Sequence, residues 1–189
     1  MLKLPFDTEF SVPVLTPSKQ HETVYLIQYS TWGHHSLGFY RNEQLVEFTY
    51  GDWAMFALDK RDLFTSLTHM AFPTLGALGR KIIDWSPEQP AIPRFTDCID
   101  IVPFPAEASL VETLFTRLTT EFNTAITDQV YHEADDLYFA PYHIPYSLWN
   151  NCNHELAKWL VELGGQVSGR VFWNPDFIAG MSPKLASIQ

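Results

Sequence analysis

Basic residues are scarce in this sequence: Lys and Arg total 12 against 22 Asp and Glu, a formal net charge of −10. The densest basic spots are Lys60-Arg61 and Arg80-Lys81. A duplex nucleic-acid binder needs a basic patch to neutralise phosphates, and an anionic membrane surface selects for the same, so neither partner is expected. Cysteine is scarcer still, with Cys98 and Cys152 alone, which excludes a disulfide framework. No run approaches the roughly 20 apolar residues that span a bilayer. The first residues, Met1-Leu2-Lys3-Leu4-Pro5-Phe6-Asp7, lack an apolar segment of signal-peptide length. The expectation is a cytoplasmic, acidic protein with reduced thiols. No internal repeat and no metal-ligand spacing such as CxxC or HxxxH is present, so neither a metal nor another cofactor is expected.

What is present suits one globular domain over residues 1–189. Hydrophobic residues make up 46% and charged residues 18%, with aromatics at 15% and thirteen prolines. That is enough apolar material for a sizeable core, broken into short elements and ordered loops. Residues 1–20, with Pro5, Pro13 and Pro17, read as an extended arm. Thr23–Tyr29 is rich in β-branched and aromatic residues and reads as a buried strand. His35–Tyr40 and Gln44–Thr49, divided by Arg41-Asn42-Glu43, read as a hairpin. Asp52 is placed to cap a helical stretch from Trp53, and a further helix is expected over 62–71. Pro87, Pro90 and Pro93 make 84–97 a loop, and Cys98–Phe104 reads as a short strand.

The clearest helix covers 106–123, where Leu110, Leu114, Leu118 and Phe122 recur at four-residue steps. Leu137–Ala140 reads as a strand, and Pro141 and Pro145 frame a loop leading to Asn150. From Cys152 the pattern is helical again, with Leu156, Trp159, Leu160 and Leu163 on one side and Gly164-Gly165 as the stop. The fold class is therefore α+β, an antiparallel sheet packed against helices.

One position stands out chemically. Asn150 and Asn151 are good N-cap residues, so Cys152 falls in the first turn of its helix. Unpaired amide groups and the helix dipole favour a thiolate there, and a nearby imidazole can take the proton. His154 is two residues along the same helix and points away. His34 and His35, at the start of the hairpin, are the alternatives; adjacent residues on a strand face opposite ways, so the two cannot share one ion with Cys152.

A His opening a strand, a hairpin, and a late Asn-Cys at a helix start resemble the circularly permuted papain-fold thiol hydrolases. That superfamily includes NlpC-like peptidases and lecithin retinol acyltransferase-like enzymes. The segments Val46-Glu47-Phe48-Thr49-Tyr50-Gly51-Asp52-Trp53 and Leu148-Trp149-Asn150-Asn151-Cys152-Asn153 are similar to a bacterial family of unknown function within it. The resemblance covers roughly residues 23–60 and 136–165. It implies a permuted papain-like fold and a triad of Cys152, His35 and Glu47, the last standing twelve positions after His35. Glu47 departs from the acyltransferase relatives, which carry a His there.

On this reading Cys152 attacks an amide or ester carbonyl, His35 moves the proton, and Glu47 orients the imidazole. His34, Tyr29, Asn151 and Asp52 surround the site, with Tyr29 as a candidate oxyanion donor. The expected partner is a small peptide-like or acyl substrate. The rival expectation is a non-catalytic binding or scaffold domain that keeps the fold. The triad makes a geometric demand. Directly opposed side chains in an antiparallel hairpin share a face. An odd-numbered turn, or a bulge that mimics one, puts Glu47 on the face of His35; an even turn puts it on the face of His34 and Ser36.

Overall fold

A computed structural model describes residues 8–29, 34–60, 72–88, 98–133, 135–147 and 149–169. The expected helix over 62–71 lies outside these residues. Strands β1 (Thr8–Ser11), β2 (His21–Tyr29), β3 (His35–Arg41) and β4 (Gln44–Asp52) are followed by a π-helical turn, Trp53–Ala57. Then come β5 (Thr74–Ile83), β6 (Cys98–Glu107), helix α1 (Ala108–Thr124), a 3-10 turn (Ile126–Asp128), β7 (Val130–His132), β8 (Leu137–Tyr146), helix α2 (Cys152–Glu162) and β9 (Gln166–Gly169). Seven strands form one antiparallel sheet in the order β6-β2-β3-β4-β5-β8-β7, while β1 pairs with β9 in a separate ribbon. The architecture is α+β. No helix among the described residues is long and apolar enough to cross a membrane.

Three longer strands differ most from the sequence reading, beside the short strands β1, β7 and β9, which it also did not anticipate. β5 was not expected: Gly76 and Gly79 dilute its apolar pattern, but its centre pairs with both β4 and β8 and is buried. β6 runs through Pro103 and Pro105, which an edge strand tolerates because the missing N–H can face outward. β8 runs through Pro141 and Pro145, where a loop was expected. β7 covers only Leu137–Phe139 of β8, so beyond Phe139 no strand among the described residues pairs with that side, and proline is allowed there.

The sheet divides the core in two. On one face Leu26, Leu37, Phe39, Phe48 and Tyr50 pack against Val111, Leu114, Leu118 and Phe122 of α1 and Leu156, Trp159 and Leu160 of α2. On the other face lie Tyr25, Ile27, Leu45, Ile83 and Trp85, with a second group of Ala57, Ala77, Leu137 and Phe139 beside the π-helical turn. Helix α2 ends as the glycine pair implies: Gly164 adopts φ 86°, and the Gly165 N–H donates to the Leu160 carbonyl at 3.0 Å.

Candidate functional site

Cys152 is the first residue of α2. Asn151 is its N-cap, and Asn151 Oδ1 accepts from the backbone N–H groups of Asn153 at 3.1 Å and His154 at 3.3 Å. The His154 ring completes a capping box at Nδ1, which lies 3.4 Å from the Asn151 backbone N and 2.9 Å from Asn151 Oδ1. That role gives the imidazole two residues from the thiol a structural use at the helix start. Burial, with the Lys158 charge, holds His154 below the usual imidazole range and so in the neutral form that can accept.

Cys152 heads the stripe that Leu156 and Leu160 continue at four-residue steps, and both leucines pack on the sheet. Cys152 as a residue is half-buried. Burial pushes its thiol up to about 11, against the pull of the Asn153 and Cys152 backbone N–H groups. The resting sulfur is therefore a protonated thiol at neutral pH.

The hairpin decides which histidine lies on the thiol's side of the sheet. β3 and β4 pair as Arg41↔Gln44, Tyr40↔Leu45, Phe39↔Val46, Gly38↔Glu47 and Leu37↔Phe48. The turn is thus Asn42-Glu43 alone, with φ of 51° and 64°, the pair of left-handed residues that a type I′ hairpin requires. The turn is even and the ladder has no bulge. His35 shares a face with Leu37 and Phe39, which pack on the helices, and is 2% exposed. Cys152 and His35 therefore lie on one side of the sheet.

Glu47 lies on the other side. The turn parity corrects the expected triad: Glu47 does not share a face with His35 and cannot orient its ring directly. The His34–Glu47 face is the alternative that an even turn selects. There Glu47 Oε1 accepts the Tyr29 hydroxyl at 2.6 Å and the Ser36 hydroxyl at 2.5 Å. Oε2 has no hydrogen-bond partner among the described residues. The expected oxyanion donor Tyr29 is thus engaged by Glu47, across the sheet from Cys152. His34 Nε2 and Thr49 Oγ1 are 2.6 Å apart, and the ring stacks on Phe56 with centroids at 5.9 Å. Burial, reinforced by the charge of His35, pushes His34 down to about 4, so it is neutral at physiological pH. Cys98 is on this face too, its thiol pushed up to about 11 by burial and by the Glu47 charge.

Burial raises the Glu47 carboxyl above its usual range, with the two hydroxyls and Lys81 pulling the other way. Lys81 stands opposite Glu47 on β5 and reaches Asp136 at 3.4 Å. A carboxyl whose folded value is raised holds its proton longer in the folded state. Its contribution is complete below the unfolded value and is lost as pH rises from there through the raised folded value. Denaturant midpoints of the wild type are therefore expected to fall over that interval, and Glu47→Gln is expected to remove this part of the fall. Parallel pH dependences for the two proteins would contradict it.

Asp52 is a cap rather than a reactive group: Oδ1 accepts from the Met55 N–H at 2.8 Å, and Oδ2 accepts the Thr74 hydroxyl. Two tyrosines near the thiol, Tyr146 and Tyr50, escaped the sequence reading, and the contacts of Asn150 go beyond the capping role expected of it. Tyr146 is raised by burial and then by the charges of Cys152 and Asp52, which places its hydroxyl in the field of both. Tyr50 packs against the Tyr146 ring at 5.7 Å and donates to the Ile144 carbonyl at 3.2 Å. Asn150 donates to the Pro145 carbonyl at 2.8 Å and accepts from Lys158 at 2.8 Å, pinning the turn ahead of Cys152. The only sequence signal for Tyr146 is its place beside Pro145, and reading that proline as loop hid it. Among the described residues no cluster of His, Cys, Asp and Glu could hold a metal ion.

Comparison of the chain with protein-family models, with curated protein sequences and with solved structures gave no match in any of the three.

Proposed function

We propose that this chain is a thiol hydrolase or acyltransferase of the circularly permuted papain type, working through a Cys152–His35 pair. The observation that carries the reading is the placement of a half-buried cysteine at the first position of an Asn151-capped helix, on the sheet face of His35. Because burial holds the sulfur at about 11, the pair works by general base catalysis rather than as a preformed thiolate–imidazolium. His35 takes the thiol proton as sulfur bonds to the carbonyl carbon of an amide or ester. The tetrahedral adduct collapses, His35 returns the proton to the departing amine or alcohol, and the acyl group remains as a thioester. Water, or an acceptor hydroxyl or amine, then releases the acyl group. Asn151 Oδ1 occupies the Asn153 and His154 N–H groups, which leaves the Cys152 N–H as an oxyanion donor. The substrate is a small peptide-like or acyl compound. Two free thiols on opposite faces of the sheet suit a reducing, cytoplasmic setting.

The rival, a non-catalytic binding domain, draws support from the raised thiol and from Glu47 facing away. Iodoacetamide labelling at neutral pH, with Cys152 and Cys98 distinguished by peptide mass, separates the two. The catalytic reading expects Cys152 to react roughly tenfold faster in the wild type than in His35→Ala, since base assistance is lost with the imidazole. Equal rates in the two proteins, following a thiol that titrates near 11, would overturn it.

A further inference from the structure

The buried polar cluster on the far face stands directly behind His35. The β3–β4 ladder ends at Leu37↔Phe48. On β3, the residues N-terminal to Leu37 are tied to β4 by side chains: Ser36 to Glu47 at 2.5 Å, and His34 to Thr49 at 2.6 Å. On the other flank, β2 pairs with β3 as far as Gln28↔His35. The Tyr29 N–H donates to the His34 carbonyl at 3.0 Å, while the Tyr29 hydroxyl donates to the same Glu47 oxygen that Ser36 uses. Both neighbours of His35 are therefore held from the reverse face, where the β4 backbone no longer holds them.

We infer that Glu47 and Thr49 are positioning residues, clamping His34 and Ser36 from behind so that the intervening His35 ring is held toward Cys152. The inference rests on the Cys152–His35 reading above. A strand without its ladder bonds on one side can rotate about its axis, and alternation would then carry His35 off line. Misplacement of a base by about 1 Å is enough to cost roughly a hundredfold where reaction geometry is strict. Oε1 is one acceptor serving two hydroxyls on two strands, so its loss would release β2 and β3 together.

The test compares variants that keep the acceptor or donor with variants that delete it. Glu47→Gln and Thr49→Ser preserve the hydrogen bonds; Glu47→Met and Thr49→Val remove them at similar volume. Iodoacetamide labelling of Cys152 at neutral pH is expected to stay within about twofold of wild type in the first pair and to fall about tenfold in the second, toward the His35→Ala rate. Adding His35→Ala to Glu47→Met is expected to cost little more, since both act through one group. A purely structural role would lower the melting temperature of Glu47→Met while leaving the His35 dependence of labelling intact, and that result would overturn the inference. Should Glu47→Met not fold, Thr49→Val carries the same comparison. The His35 ring resonances are followed by NMR in each variant. Ring signals that move in the deleting pair alone support the clamp even where the wild-type thiol shows no His35 dependence, an outcome that removes only the catalytic reading. Signals unmoved in all four would overturn the clamp.

Discussion

Gly76→Ala is expected to destabilise the protein by about 3 kcal/mol, with the β5–β8 pairing lost before the rest of the sheet. A Cβ at this position would sit 2.1 Å from the Ile144 carbonyl oxygen and 2.9 Å from the Tyr50 ring. The first contact is backbone, so no rotamer change relieves it. It falls where the β5–β8 register shifts, between Thr74↔Tyr146 and Gly76↔Tyr142. This bulge lets the close approach form and re-aims β8, so that Tyr146 and Asn150 arrive beside Cys152. Hydrogen exchange should show early opening of Tyr142–Tyr146 in the variant, together with a lower denaturant midpoint. A midpoint within error of wild type would show that the strands can part without cost.

Trp159→Ala is expected to cost about 3 to 5 kcal/mol, the range for deleting a buried aromatic. Trp159 is 1% exposed and stands among the largest fully buried side chains. It lies in the core that joins α2 to β3 and β4, two turns along the stripe that Cys152 heads. A cavity there loosens the seat of the helix that carries the thiol. Chemical denaturation should therefore show the loss together with a weaker dependence of Cys152 labelling on His35. A large loss of stability with that dependence unchanged would mean that the helix start is held by the Asn150 and Asn151 contacts alone.

Much of the fold was legible in particular residues. The apolar stripe of α1 reads directly as a helix because burial at every fourth residue satisfies its period, and Val111, Leu114, Leu118 and Phe122 are all buried. The start of α2 was legible because an Asn immediately before an apolar-periodic run satisfies orphan amide groups by local chemistry. β5 and the second half of β8 were not legible. Glycine in one and proline in the other weaken the local β signal, and their strand character comes from neighbours distant in sequence. Pro141 lies beyond the reach of β7 and Pro145 falls where the β5–β8 register shifts, facts about sheet order that no local window contains.

The sequence by itself determined that Cys152 opens a capped helix and that His34 and His35 open a hairpin strand. Both are short-range matters, settled by side chains reaching their own backbone and by β propensity. Only the tertiary structure decided which residues face the thiol. Strand side chains alternate with period two, so a change of a single residue in the turn exchanges the faces of every residue beyond it. Asn42-Glu43 carries no glycine to announce a tight turn, and the pairing Arg41↔Gln44 emerges from packing on both sides of the sheet. That pairing leaves His35 on the face of Cys152 and turns Glu47 to the far side, where it holds the strand instead of the ring.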